Sequence, residues 1–404
     1  MHRTTNTRTE SARSTTGHRS ALGVALAGLA FTAACSPFAM QRSTTMSAGE
    51  VTRRTEALAE LRTSKTRVTT TTTTAAPSTT TTTTPVPAAP AATTTTLLSG
   101  TYITPGARLG VGGCPLFPTN NAFHASIGAL PVRSDSAAAI AAAGGASQVL
   151  RAGFTARIWD GSRGGYPVNV ADSRVDQVVN YVINRYPAVS DANGHVMPAS
   201  PRFEGWPGIA WDRHLLTVDS ATCTTSEAFW VVPPWQNPFG WWIADSAIKA
   251  DLRSNTLPAR GSAKASGFSM LHGLVRYDEV ASGNIDHVLT ASLPLLRSGG
   301  PVWPARFSDG TGTNAALPQM GSWFRLKAGV DISKLGPQAR VVAQALRDHG
   351  VVIGDTGAGG LGITGEPDVR WNDADLDGLR GFTLNDFEIV DPTPMRVDDS
   401  LAIR

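Results

Sequence analysis

Between Thr69 and Leu98 the chain is almost wholly Thr, Ala and Pro, with three threonine runs separated by Ala75-Ala-Pro-Ser78 and by Pro85-Val-Pro-Ala-Ala-Pro-Ala-Ala92. So few large apolar side chains cannot bury enough surface to offset the entropy of ordering, and proline and β-branched threonine favour extended backbone. Residues 69–98 therefore read as a semi-stiff disordered linker, and any packed core is confined to residues 99–404.

The opposite side of the linker has the layout of an export signal. Arg3, Arg8, Arg13 and Arg19 precede an uncharged stretch, Ala21 to Ala34, that ends in small residues and is too short to span a bilayer. Residues 1–34 are expected to be a signal peptide. Thr32-Ala-Ala-Cys35 resembles a bacterial lipobox, which implies lipidation of Cys35, an extracellular location and a membrane anchored only through that lipid; cleavage without lipidation is the alternative. Residues 35–68 form a juxtamembrane segment in which Arg53, Arg54, Arg62 and Lys65 face either anionic lipid or solvent.

The basic excess of the whole chain does not belong to its folded part. Residues 1–100 hold 10 Lys or Arg against 4 Asp or Glu, whereas residues 101–404 hold 25 against 28. A slightly acidic domain lacks the counterion release that drives phosphate binding, so no nucleic-acid partner is expected. Its two cysteines, Cys114 and Cys223, are expected to form a disulfide after export, with two separate thiols as the alternative. The loop closed would be worth nominally about 4 to 5 kcal/mol.

All ten tryptophans lie in residues 99–404, with Gly and Pro spread throughout. His214–Val218 and Glu227–Val232 flank a polar turn and read as a strand pair. Trp241–Ala250, Ile285–Leu293, Trp323–Val330, Val351–Asp355 and Phe387–Val390 also have strand chemistry. Helices are predicted over Pro337–His349, opened by proline and stopped by Gly350, and from Asp373. The expected fold is mainly β: a single large β-sandwich-like domain with a few short helices.

Asn120–His124 with Ala129–Val132, Trp211–Leu215, Gly273–Val280, Val302–Arg306, Phe324–Ala328 and Phe387–Asp391 carry a resemblance to a family of exported bacterial, largely actinobacterial, proteins. The resemblance covers nearly all of residues 99–404 and stops at the linker, which implies one domain. It implies no activity, since none is established for the family. The chain departs from the family pattern at Gly357–Leu361.

Gly354-Asp-Thr-Gly-Ala-Gly-Gly-Leu-Gly362 lacks the Lys and Ser/Thr of a phosphate loop and reads as a hairpin turn. Asp373-Ala-Asp-Leu-Asp-Gly378 opens like a calcium loop but has Leu384 at the chelating twelfth position, so helix capping is the better reading. The six domain histidines have no metal-ligand spacing, and no cofactor or metal is expected. Gly267-Phe-Ser-Met-Leu271 lacks the second glycine of a nucleophile elbow and reads as a turn.

What remains is a set of carboxylates beside aromatic residues: Glu204, Asp212 with His214, Asp219, Glu227 and Asp245. Residues two apart on a strand share a face, so Asp212 and His214 can meet in one groove with Glu227 on the neighbouring strand. Two carboxylates in different protonation states cleave glycosidic bonds, and aromatic rings stack on sugars. The expectation is a surface-tethered carbohydrate-active protein, a glycoside hydrolase or polysaccharide lyase, with Glu227, Asp212 and His214 catalytic. Trp206, Trp241, Trp242 and Arg306 are expected to bind a polysaccharide or cell-wall glycan. The alternative is a non-catalytic envelope lipoprotein that binds glycan or another surface component.

Overall fold

Runs of β-branched and aromatic residues broken by Gly and Pro give short strands and frequent reversals of the chain. In the computed structural model, which describes residues 102, 110–159, 161–208 and 211–404, these runs become fourteen strands and four short α-helices. The leader, Cys35, the juxtamembrane segment and the linker lie outside the described residues. The strands are β1 (Leu150–Ala152), β2 (Val168–Ala171), β3 (Gln177–Val179), β4 (Val182–Ile183), β5 (His195–Met197), β6 (Leu215–Asp219) and β7 (Thr224–Phe229). They continue with β8 (Ile243–Ala244), β9 (Ser246–Ile248), β10 (Leu289–Leu293), β11 (Trp323–Leu326), β12 (Val351–Thr356), β13 (Leu361–Ile363) and β14 (Phe387–Val390). The helices are α1 (Ser136–Ala142), α2 (Tyr277–Ala281), α3 (Pro337–Asp348) and α4 (Asp373–Leu376). The protein is mainly β, in sheets decorated by short helices.

One sheet has the order β1-β13-β10-β12-β11-β14, a second β2-β6-β7-β9, and two further pairs join β3 to β5 and β4 to β8. The six-stranded sheet is covered on both faces. Leu289, Ala291, Val351, Ile353, Phe324 and Ile389 meet Ala339, Val342 and Leu346 of α3, while Trp323, Val352 and Val390 face Phe123, Ile127 and Phe268. Proline at the first turn of α3 fits because its missing N–H has no intrahelical partner there. The next two N–H groups, of Gln338 and Ala339, donate to Asp375 of α4. The aspartates at 373–377 thus cap and brace: Asp373 accepts from the backbones of Ala156 and Arg157.

The four-stranded sheet is built on the predicted β6–β7 hairpin, in register Leu215↔Ala228 and Leu216↔Glu227. The disulfide is present: Cys114 and Cys223 are joined with Cα atoms 5.4 Å apart, fixing the chain ahead of β1 to the turn of this hairpin. Between the sheets runs an irregular, almost wholly buried segment, residues 262–275. It bonds to the six-stranded sheet through Ser266 N–H to Gly354 and Val275 N–H to Thr364. Gly267 lets it turn, at φ +75°, where a Cβ would stand 2.4 Å from the Phe307 ring.

Two expectations are corrected by this topology. Gly354–Gly362 is not a hairpin turn: β10 lies between β12 and β13, parallel to the first and antiparallel to the second. The glycine-rich loop instead crosses the end of β10, and a Cβ on Gly357 would stand 2.7 Å from Ser292 Oγ. Trp241–Ala250 is not one strand either. It breaks at Asp245, whose carboxylate accepts from Asn184 at 3.0 Å, leaving β8 and β9 in different sheets.

Candidate functional site

The start of β6, the end of β12 and the segment between the sheets bring charged side chains from distant parts of the sequence together. His214 is buried, and its Nδ1 lies 2.6 Å from Glu204 Oε2, which also accepts from the His214 backbone at 3.3 Å. Burial alone would lower the His214 pKa, but the charge and hydrogen bond of Glu204 outweigh it and hold the pKa above the ordinary value. A carboxylate bonded to one ring nitrogen fixes the orientation of the other, so Nε2 is the working atom of this pair. Tyr166 packs on the ring at 4.8 Å between centroids, and Phe229 at 5.2 Å.

Asp355, the penultimate residue of β12, acts on His214 through its charge. Burial, with the negative charge of Asp309 added, raises its pKa to about 7, while Lys264 and His214 oppose the shift. Asp309 is held by the Thr356 hydroxyl at 2.5 Å. Lys264 is buried against Gly354, where a Cβ would stand 3.1 Å from its Nζ, so glycine here makes room for the ammonium. The Lys264 Nζ lies 3.3 Å from Thr290 Oγ1 and faces the Tyr166 and Phe268 rings at 6.0 and 5.5 Å. Burial lowers its pKa to about 8 against the pull of Asp355 and Glu227.

Asp212 completes the set. It is exposed as a residue, yet desolvation around its carboxyl raises its pKa, and its charge acts on both His214 and Asp355. Among the described residues, His214 Nε2, the Tyr166 hydroxyl, the Asp212 carboxylate and Asp355 Oδ2 have no protein hydrogen-bond partner. Four groups able to move protons are thus left without protein partners, and the charges of Asp212 and Asp355 both act on His214. The backbone around them is strained: Trp211, Arg213 and Trp230 have φ of +68°, +52° and +53°, and these are three of the five non-glycine residues with positive φ among the described residues. Such conformations cost energy and concentrate at functional sites.

Around this cluster stand exposed tryptophans. Trp206, Trp211 and Trp230 are 44%, 37% and 38% exposed, and the Trp230 N–H donates to the Asp212 carbonyl. Trp241 is partly buried, and Trp242 belongs to the core beneath the four-stranded sheet. Arg306 gives its guanidinium N–H groups to the carbonyls of Pro258, Gly261 and Gly267, which staples the segment between the sheets.

Glu227 shares a sheet face with His214 but is fully buried. Its Oε1 accepts from the Ser269 hydroxyl and its Oε2 from the Met270 N–H at 2.7 Å. Asp219 is likewise occupied, ordering its turn through the N–H groups of Ser173 and Ala221. Lys264, Tyr166, Asp309 and Asp355 were not among the residues singled out from sequence. Among the described residues, no three His, Cys, Asp or Glu side chains are grouped as metal ligands. Neither a protein-family profile, nor a curated protein, nor a solved structure matches this chain.

Proposed function

We propose that the cluster is the active centre of an exported, surface-tethered enzyme that hydrolyses an envelope or extracellular glycan. The observation that carries this reading is the pairing of Asp355, whose pKa near 7 leaves it protonated for much of the time at neutral pH, with the exposed carboxylate Asp212 in its field. Asp355 donates a proton to the leaving glycosidic oxygen. Asp212 takes one from the attacking water, and His214, oriented by Glu204, donates a hydrogen bond from Nε2 to a sugar hydroxyl. Trp206, Trp211 and Trp230 offer faces on which sugar rings stack. The exposed rings equally support the second reading, a glycan-binding protein without turnover, with Trp206 and Trp241 as contacts.

Release of new reducing ends from peptidoglycan, arabinogalactan, chitin and xylan discriminates the two. Release from at least one is expected; retention on these polymers with no release from any would leave only the binding reading. The resemblance to exported actinobacterial proteins fits the same location, with Cys35 carrying the anchor. Cys35→Ser is expected to move the protein from the membrane pellet to the medium, and a variant still sedimenting after a high-salt wash would exclude the lipid anchor.

A further inference from the structure

Between β7 and β8 the chain runs Trp230-Val-Val-Pro-Pro-Trp-Gln-Asn-Pro-Phe-Gly-Trp-Trp-Ile243, with five aromatic residues and no charge. A loop of this composition would ordinarily fold its rings inward. Here Trp235 and Phe239 are 61% and 59% exposed. Leaving two large apolar side chains in water forgoes the gain from burying them, so the arrangement calls for an occupant.

The loop is stiff. Asn237 braces it from within: Nδ2 donates to the carbonyls of Pro233 and Trp241, both at 2.8 Å, while Oδ1 accepts from the N–H groups of Phe239 and Trp241. Val232 and Ile243 close its base with paired backbone bonds. Each exposed ring rests on a ring beneath it. Trp235 meets the buried Trp242 edge-on at 5.6 Å, and Phe239 stacks on Trp241 at 5.1 Å. The loop is also tied to the cluster, because Arg213, between Asp212 and His214, donates to the Val231 carbonyl at 2.7 Å and to Gln236 Oε1 at 2.6 Å.

We propose that this loop is a second glycan-binding platform, distal to the reacting groups, on which a polysaccharide chain stacks through Trp235 and Phe239; the proposal rests on the carbohydrate reading of the cluster. Rings held in fixed planes suit a stiff polymer of sugar rings, because little order remains to be lost on binding. An uncharged surface suits neutral sugars. A bilayer fits less well: interfacial segments set Lys or Arg beside their aromatic residues to meet lipid phosphates, and this segment has neither. The tie through Arg213 fixes the platform to the backbone that carries Asp212 and His214.

The test compares wild type with a Trp235→Ala, Phe239→Ala double variant, whose side chains lie outside the core and whose folding is checked by thermal unfolding. Co-sedimentation with insoluble peptidoglycan, chitin and xylan is expected to weaken by about tenfold or more on the polymer that the wild type binds. Reducing-end release from a short soluble oligosaccharide of that polymer is expected to stay within about twofold of wild type, since such a chain does not reach the loop. Equal sedimentation of the two proteins would overturn the platform and leave the cluster's reading standing. Binding of wild type, but not of the variant, to vesicles of phosphatidylcholine and phosphatidylglycerol would overturn it in favour of a membrane. A wild type that binds none of these polymers and releases no reducing ends would overturn platform and carbohydrate reading together.

Discussion

Asp355→Asn is expected to lower turnover by about a hundred- to a thousandfold on whichever glycan the wild type cleaves, and to abolish the wild type's loss of rate above neutral pH. A general acid works in its protonated form. With a pKa raised by burial to about 7, Asp355 carries its proton below that pH and loses it above, so kcat/KM of the wild type should fall as pH rises through about 7. Asparagine keeps the size and one acceptor but cannot hand over a proton, so that limb should vanish with the rate. Stability separates this effect from damage to the fold. A carboxyl whose folded pKa lies above its unfolded value near 3.8 contributes stability that is fully present below the unfolded pKa and is lost as pH rises through about 7. The neutral amide escapes that loss, so at pH 8 the variant should unfold at a denaturant concentration no lower than wild type. A variant within about fivefold of wild-type turnover, with the same alkaline limb, would remove Asp355 from the chemistry.

How far the sequence discloses this arrangement depends on how local each signal is. α3, β6, β12 and β14 are legible because their apolar periodicity, turn residues and caps lie within the element itself, whereas β7 is legible only from Glu227 to Phe229, its first half, Thr224–Ser226, reading as turn. The relation of β12 to β13 was not legible. Glycines after a strand favour a tight reversal, and only the insertion of β10, more than fifty residues earlier in the chain, converts the reversal into a crossing. Likewise His214 and Asp212 stood out as a local pair, and Glu204 as a carboxylate beside aromatic residues. Lys264 sits in a run of small residues, Ser262-Ala-Lys-Ala-Ser266, which gives no hint that its ammonium will be buried against β12. Asp355 was hidden by its neighbours, because Asp before Thr and Gly is ordinary turn chemistry. Its position at the carboxyl end of a strand parallel to β10 is what recasts it, since ligands gather beyond the carboxyl ends of parallel strands.

Glu227 illustrates the same limit from the other side. Sequence spacing puts it on the face of β7 that His214 shares, and that much the register bears out; its depth belongs to the packing of residues 262–275 over the sheet. Both carboxylate oxygens are engaged there by Ser269 and Met270, which ties the segment carrying Lys264 to the four-stranded sheet. Glu227→Ala would leave the Ser269 hydroxyl and the Met270 N–H buried without acceptors, a loss of about 3 to 5 kcal/mol together with the cavity left behind. Glu227→Gln keeps an acceptor for one donor and should lose markedly less. The difference should depend on pH. Burial raises the Glu227 pKa against the opposing hydrogen bonds of Ser269, Thr225 and Met270, so its contribution to stability is fully present below the unfolded carboxyl pKa and declines as pH rises through the folded one. The glutamine variant, which does not titrate, should therefore approach wild type as pH rises. Urea unfolding of the three proteins between pH 5 and pH 8 measures this directly. If Glu227→Ala proved as stable as wild type but lost turnover on the glycan, Glu227 would be a reacting carboxylate and not the strut that its burial implies.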